Sequence, residues 1–428
     1  MRVWLLTVGE PLPTDNGRAR LWRTGLLARR LVERGHDVVW WSSAFDHVHR
    51  RLSPTVDTPI AVGQRLTVWH LAGTPYRRNI SVRRLMNHYQ VARRFSQLAA
   101  GQPRPDVILS SLPTLELSCA AVDYGAANGV PVALDVRDLW PDVLFDMLPM
   151  GTRGVARHAM HWMTRQLRRS ATGATAILGV TDEFVQWGVE AARRPPTSRD
   201  RAFPMGYSSR MPNQEDLNAA RGFWSARGLD EAPQRPIVCF FGTFGWMFDF
   251  KTVMFAAERL QEVAPELRLV LCGTGGKIEE IRRRASGLSN VLLPGYVGPS
   301  EIWDLMRRSI AGLAPYRPLR NFDDNLPNKP IEYLSAGLPI ISCELRLLKR
   351  LIEQYECGLT YAHGDVDGLV NAVLRLLHNP TLRASMSRRA GQLYTDRFTA
   401  EVVYDSMASH LEALVEVEGS PRAPLRQV

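Results

Sequence analysis

Between Asn321 and Ser342 the chain reads NFDDNLPNKPIEYLSAGLPIIS, residue types able to hold an anion and a diol side by side. Pro330 suits the first position of a helix, where its missing N–H costs nothing. Glu332 then falls in the first turn. The loop Asn325 to Lys329 would present backbone N–H groups and the positive end of that helix to an anion. A carboxylate in this turn accepts two hydrogen bonds from a diol such as ribose. Gly337 closes the helix and Pro339 restarts an extended strand. The competing account of Glu332 is a carboxylate that only caps its own helix.

Such a site needs a scaffold, and the pattern supplies one. RVWLLTV, DVVWW, PDVILSS, VPVALDV and ATAILGV are apolar runs separated by helical stretches, among them an amphipathic one from Arg18 to Arg34 closed by Gly35. Continuous apolar runs fit strands buried on both faces of a parallel sheet. The polar, proline-rich stretches at residues 191–200 and 208–216 interrupt the series. A second α/β series follows, with PIVCFFG, LRLVLCG, NVLLPG, AGLAPY, LPIISC and CGLTYA as its strands. The expectation is α/β: two doubly wound, Rossmann-like domains facing across a cleft, with ligands at the carboxyl ends of the strands. The boundaries are set at 1–207 for the first domain, rejoined by a helix at about 398–417, and 208–397 for the second. Residues 418–428 are expected as a disordered tail.

The chain of 428 residues suits two cores rather than one. No uncharged run approaches the roughly 20 residues of a transmembrane helix, and the apolar start is too short for a signal peptide. The five cysteines, Cys119, Cys239, Cys272, Cys343 and Cys357, lack CxxC spacing; Cys239, Cys272 and Cys343 sit inside apolar strand patterns, so small buried residues in a reducing cytoplasm are expected. No cluster of His, Cys and acidic residues suggests a metal. Residues 1–210 hold 28 Lys+Arg against 17 Asp+Glu, an excess of 11, while residues 211–428 hold 25 against 26. The basic half points to an anionic partner.

The Asn321–Ser342 stretch also resembles the donor-site signature of family 4 glycosyltransferases: an acid, seven residues, a glutamate, a small-residue turn and a proline strand. Here these are Asp324, Glu332, Ala336-Gly337 and Pro339. The resemblance extends over nearly the whole chain. It implies a metal-independent GT-B transferase with no cofactor, using a nucleotide sugar, a UDP-sugar favoured, as substrate. It assigns Glu332 to the ribose hydroxyls, Asp324 to the transferred sugar, and the backbone of Asn325, Leu326 and Asn328 to the sugar and its diphosphate. Gly17 in EPLPTDNGRAR matches the family's glycine loop between donor and acceptor. Gly273 and Gly275 in CGTGG match the turn that faces the diphosphate, although an ordinary strand-to-helix turn has the same look. Gly295 to Val297 match the segment at the base, and FPMGY (Phe203–Tyr207) matches the linker strand, with Met205 in place of asparagine. WSSAFDHVHRR, TPYRRN and LDVRDLWPD look like the WbuB-like enzymes of surface-polysaccharide assembly, often transferring N-acetylated amino sugars.

Two positions depart from the pattern. Many members carry an arginine after the first strand of the second domain and a lysine five residues later, to neutralise the leaving diphosphate; here these are Thr243 and Phe248. Lys329 is the substitute on the signature loop, aided by the helix dipole. A first-domain histidine is replaced by Arg137, which cannot act as a base. Its neighbour Asp138 is the candidate to orient the acceptor hydroxyl or accept its proton, against a role as helix N-cap.

Two basic helical stretches complete the picture. Val82, Leu85, Met86 and Tyr89 share a face beside Arg83, Arg84, Arg93 and Arg94. Val155, Ala159, Trp162 and Met163 share another beside Arg153, Arg157, Arg165, Arg168 and Arg169. Each stripe alone is expected to pack into its own domain, with the arginines as a solvated face. The charge asymmetry favours a lipid-linked or phosphorylated acceptor and peripheral contact with the inner face of the plasma membrane; nucleic acid is not expected.

The sequence thus reads as a transferase acting on a lipid-linked or polysaccharide acceptor, and the resemblance implies that it retains configuration. The rivals are an inactive scaffold, motivated by Thr243, Phe248 and Arg137, and a nucleotide-sugar epimerase of the same fold. A dinucleotide oxidoreductase lacks its glycine fingerprint at the first strand.

Overall fold

The structure is a computed structural model describing all residues except 16–19, 48–49, 78–80, 147, 149, 209, 231–234 and 420–428. The chain divides into two units, Met1–Pro204 with Val403 onward, and Met205–Val402.

In unit 1 the apolar runs form the expected buried strands. Arg2–Leu6 lies between Asp37–Ser43 and Val107–Ser111 and is parallel to both. Val132–Val136, Ala176–Gly179 and Arg201–Ala202 continue one side. Leu66–Leu71 continues the other, and Pro59–Ala61 adds an antiparallel edge. Leu66–Leu71 goes unnoticed in the sequence because Thr67 and His70 interrupt its apolar run. Trp4, Trp41 and Trp69 share one face of the sheet. Trp41 and Trp69 stack at 4.9 Å, and Phe95 meets Trp41 edge-on.

The first helix spans Arg23–Glu33 rather than beginning at Arg18. Its start is set by tertiary contacts. The Glu10 carboxylate accepts hydrogen bonds from the Thr24 N–H and hydroxyl, satisfying a first-turn amide as a cap would. Arg23 is buried with Asp135 in a two-bond ion pair, both bonds 2.9 Å, and donates to the Phe203 and Pro204 carbonyls. The last helix, Ala400–Gly419, includes the first residues assigned to the tail; the tail beyond Gly419 lies outside the described residues. Within unit 1 its buried stripe Val403, Met407, Leu411 and Leu414 faces inward, and Asp405 and Glu412 bind Arg30, Arg34 and His36.

Unit 2 has six parallel strands in the spatial order Val291–Gly295, Arg268–Cys272, Ile237–Phe241, Ser309–Ala314, Ile340–Cys343 and Gly358–Tyr361. All six coincide with apolar runs in the sequence. The chain steps outward from Ile237–Phe241 in one direction, then returns to begin again at Ser309–Ala314.

Candidate functional site

That reversal between Ile237–Phe241 and Ser309–Ala314 leaves a crevice at the strand carboxyl ends, where open α/β sheets bind ligands. Three connecting segments converge there: residues 242–249, 273–277 and 315–327. The first two interlock through their backbones. Gly242 N–H donates to Cys272 O at 3.0 Å, Phe244 N–H to Thr274 O at 2.8 Å, and Gly273 N–H to Gly295 O at 2.7 Å. A Cβ on Gly273 would stand 1.7 Å from Gly242 O, and Gly273 has φ +140°, so no other residue fits. Gly275, at φ +146°, would clash with the Phe244 backbone. Glycine is therefore required here for packing, whatever the turn binds. Among the described residues the Thr274, Gly275 and Gly276 amides make no backbone hydrogen bond. Successive open amides of this kind can receive an anion.

From the other side of the crevice comes the signature helix, Asn328–Ser335, with Pro327 as its N-cap. Pro330 is thus the third helical residue rather than the first. It is tolerated because no first-turn N–H has an acceptor within the helix. Glu332 consequently sits one residue beyond the first turn. The N-cap residue Pro327 has no side chain that could cap the helix. The helix is seated by Tyr333, whose hydroxyl donates to Leu313 O at 2.9 Å. Its ring fills the space over Gly312, where a Cβ would come within 2.3 Å. Gly337, at φ +62°, ends the segment as expected. Glu332 is only 7% exposed. Burial, with the Glu332 charge beside it, pushes the Tyr316 phenol well above its ordinary pKa.

Lys329 lies three residues before Glu332, on the same side of the helix. Its chain reaches across to the end of strand Ile237–Phe241: a Cβ on Gly242 would lie 2.6 Å from Lys329 Nζ. The ammonium stands 5.1 Å from the centre of the Phe248 ring and 5.7 Å from that of Phe240, within cation–π range. Phe248 is itself core, packed against Phe240, Phe250 and Tyr316. Lys329 thus brings its charge beside Thr243, and Phe248 supports it from below.

The signature loop is less simply arranged. Asp324 pairs with Arg346 at 2.6 Å and lies 3.8 Å from Arg320, two arginines that the sequence did not single out. Asn325 Oδ1 is buried without a hydrogen-bond partner. Leu326 packs against the unit 2 core, and Asn328 is exposed. Gly295 ends its strand at φ +84°. Gly295, Gly273, Gly242 and Lys329 therefore form one continuous chain of contacts.

In unit 1, Arg137 is fully committed. It pairs with Glu10, lies 3.9 Å from Asp135 and donates to Thr24 Oγ1. Asp138 does not cap a helix, because the next one begins at Asp142; its charge acts on the half-buried Arg84 guanidinium. Gly17 lies outside the described residues.

Histidines are the feature that sequence reading missed here. His70 is buried between the Thr14 and Ser53 hydroxyls, at 2.9 and 2.7 Å. It borders a cavity of about 490 Å3 that Glu10, Asp15 and Ser42 also line. A histidine close to a strand's carboxyl end, as in TVWHLAG, was the available signal. His47 bonds Tyr76 Oη at 2.8 Å. Burial, then Arg84 and Arg50, push its pKa down to about 4. Burial, then Arg84 and His47, push His88 down to about 3; Glu116 lies 3.8 Å from it. Both values lie below the ordinary 6.5, so the folded chain binds fewer protons than the unfolded one. The resulting stability is complete above pH 6.5 and is lost as pH falls towards the folded values. By pH 5 each histidine should have cost about 2 kcal/mol. Thermal melts at pH 7.5 and 5 check this: a clear drop is expected in wild type, and a smaller one in His88→Gln. Equal melting temperatures at the two pH values would show that the histidines protonate freely.

The comparisons agree with this geometry. Residues 22–235, half of the chain, match the model of the glycosyl transferase 4-like domain, and residues 235–379 match that of glycosyl transferases group 1. The lipopolysaccharide core biosynthesis glycosyltransferase LpsE of Rhizobium meliloti is 22% identical over 178 residues, 42% of this chain and 50% of that protein. The match thus spans about half of that relative's length. Among solved structures, sucrose-phosphate synthase from Thermosynechococcus elongatus superposes with a TM-score of 0.70 at 14% identity, covering 97% of this chain and 99% of that one. Anabaena HepE in complex with UDP-glucose gives 0.63 at 13% identity, covering 96% and 100%. Two Rossmann-like units, a matching GT-B architecture and two consecutive family models lead to one conclusion: the chain belongs to the family 4 glycosyltransferases.

Proposed function

We propose that this protein transfers a sugar from a nucleotide-sugar donor, a UDP-sugar favoured, to a lipid-linked or polysaccharide acceptor in surface-polysaccharide assembly. The observation that carries the reading is Lys329 and Glu332 side by side on one helix, with the Lys329 ammonium over Gly242 and beside the open glycine turn. Glu332 holds the ribose diol. The Thr274, Gly275 and Gly276 amides, the helix N-terminus and Lys329 hold the diphosphate. As the glycosidic C–O bond breaks, charge grows on the leaving diphosphate, and fixed positive groups there lower the barrier. The acceptor oxygen bonds to the anomeric carbon, and its proton passes to a phosphate oxygen of the departing diphosphate. The proposal needs no metal or cofactor.

The acceptor side is assigned to unit 1, where Asp138 orients the hydroxyl and the His70 cavity, rich in hydroxyls and carboxylates, receives a sugar. Retention of configuration, an N-acetylated amino sugar and membership of the WbuB-like branch follow from the resemblance and are part of the proposal. Titration with UDP-, GDP- and dTDP-sugars, with slow hydrolysis as a second readout, tests it. One nucleotide class should bind and turn over. Absence of binding at near-millimolar concentration would favour a scaffold, and an isomeric nucleotide sugar formed without acceptor would favour an epimerase.

A further inference from the structure

Both basic amphipathic stretches of unit 1 leave several apolar residues exposed to solvent, against the expectation that the stripes pack inward, although Met163 does pack inward. On helix Val82–Ala99 the buried face is Asn87, His88, Val91, Phe95 and Ala99. Val82 is 73% exposed, Met86 47% and Tyr89 62%. These follow one another at i, i+4 and i+7, and exposed Arg93 extends the line. The second stretch is Arg153–Ala159 leading into His161–Gly173. Met163 and Leu167 face inward there, while Val155 is 75% exposed and Trp162 40%.

The topology brings the two groups together. Helix Leu115–Asn128 packs against both Val82–Ala99 and His161–Gly173, so the three form one layer. Each helix runs back between parallel strands and so begins at their carboxyl ends. Val82, Met86 and Tyr89 occupy the first turns of one helix; Val155 and Trp162 lie at the entry to the other. Val82, Met86, Tyr89 and Trp162 therefore share one layer and one rim of the unit, and Val155 lies on the short helix Arg153–Ala159 that leads into it.

The charge around them has one sign. Neither Val82–Ala99 nor Arg153–Gly173 contains an aspartate or glutamate. Arg94 and Arg169 are paired with Asp57 and Asp123. Arg83, Arg93, Arg165 and Arg168 have no acidic partner among the described residues. Exposed valine, methionine, tyrosine and tryptophan set among uncompensated arginines suit a bilayer interface carrying negative headgroups. A nucleic acid would use the arginines and gain little from the aliphatic chains.

We propose that this rim of unit 1 docks on an anionic bilayer, with Val82, Met86, Tyr89, Val155 and Trp162 entering the headgroup region and the four arginines meeting lipid phosphates. The docking stands on surface chemistry and is independent of the transferase reading. No helix among the described residues is long and apolar enough to cross a membrane, so the contact is peripheral.

Co-sedimentation of the full chain with vesicles tests the proposal. Vesicles of equal phosphatidylglycerol and phosphatidylcholine should bind at least tenfold more protein than phosphatidylcholine alone, and the excess should fall in high salt. The triple variant Val82→Ser, Met86→Ser, Tyr89→Ser and the double variant Val155→Ser, Trp162→Ser should each lose about tenfold. So should Arg83→Gln, Arg93→Gln, Arg165→Gln, Arg168→Gln together. All these positions are on the surface, so melting temperatures and nucleotide-sugar hydrolysis should match wild type and separate this question from that of catalysis. Wild-type levels of binding in the apolar variants would overturn the proposal. So would equal binding to both vesicle types, or a self-association lost on the same substitutions without any vesicle binding.

Discussion

Replacing Glu332 with alanine should remove nucleotide binding while leaving the fold intact. In the proposed complex its carboxylate accepts two hydrogen bonds from ribose, each to a charged acceptor and worth roughly 1.5 kcal/mol or more. Losing both lowers affinity by about 3 kcal/mol, on the order of a hundredfold. The ribose is common to donor and product, so the free nucleoside diphosphate and the nucleotide sugar should weaken in equal proportion. Glu332→Gln, which keeps one acceptor oxygen, should fall between. The fold should persist, because Tyr333 seats this helix through Leu313 O and the space over Gly312. Calorimetric titration decides the matter. Affinity within threefold of wild type in a folded Glu332→Ala variant would remove the carboxylate from the nucleotide site and with it the main support for the proposed function.

The second large effect is expected at Lys329, and it falls on rate rather than binding. Its ammonium is held over Gly242 by the rings of Phe240 and Phe248. It should therefore act most strongly on the charge that develops as the diphosphate leaves. Lys329→Met should lower kcat by about two to three orders of magnitude with a modest change in KM, the scale seen when one transition-state charge stabiliser is removed. The lysine that many family members carry at position 248 cannot simply be restored. Phe248 is 3% exposed among aromatic rings, and Phe248→Lys would bury a charge in the core, costing several kcal/mol. If Lys329→Met kept wild-type kcat, the diphosphate would have to be neutralised elsewhere. The Arg320 and Arg346 pair around Asp324 would then be the first place to look.

These two residues show how much was legible beforehand. Glu332 stands out because a polar loop, a proline, a short helix and a closing glycine are local features written in consecutive residues, and the family resemblance of that stretch assigns it to the ribose. The six strands of unit 2 are legible for the same reason: a strand buried on both faces must be apolar throughout. Lys329 is recognisable as a candidate, but its setting is not, since it depends on Phe248 and Gly242, more than 80 residues away in the chain. Local reading also misplaced two starting points. It began the first helix at Arg18, where the structure begins it at Arg23 under the distant Glu10 carboxylate. It put Pro330 at the first helical position, where Pro327 already serves as the cap.

The sequence by itself determined the two α/β series, the position of the signature helix at a strand end and the concentration of positive charge in the first half. Each of these follows from periodicity or from residue type, which local steric and hydrophobic rules convert directly into structure. Tertiary structure alone decided that Arg137 is bound up with Glu10 and Asp135, that Asp324 faces Arg346, that His70 borders a cavity, and that Val82, Met86 and Tyr89 look outward while Asn87 and His88 look in. Most of those outcomes are pairings between residues far apart in the chain. A helical stripe can be read from spacing, but the side of it that meets the sheet is chosen by whichever face fills the core better, and for Val82–Ala99 that was the face carrying Val91 and Phe95 against the tryptophan cluster.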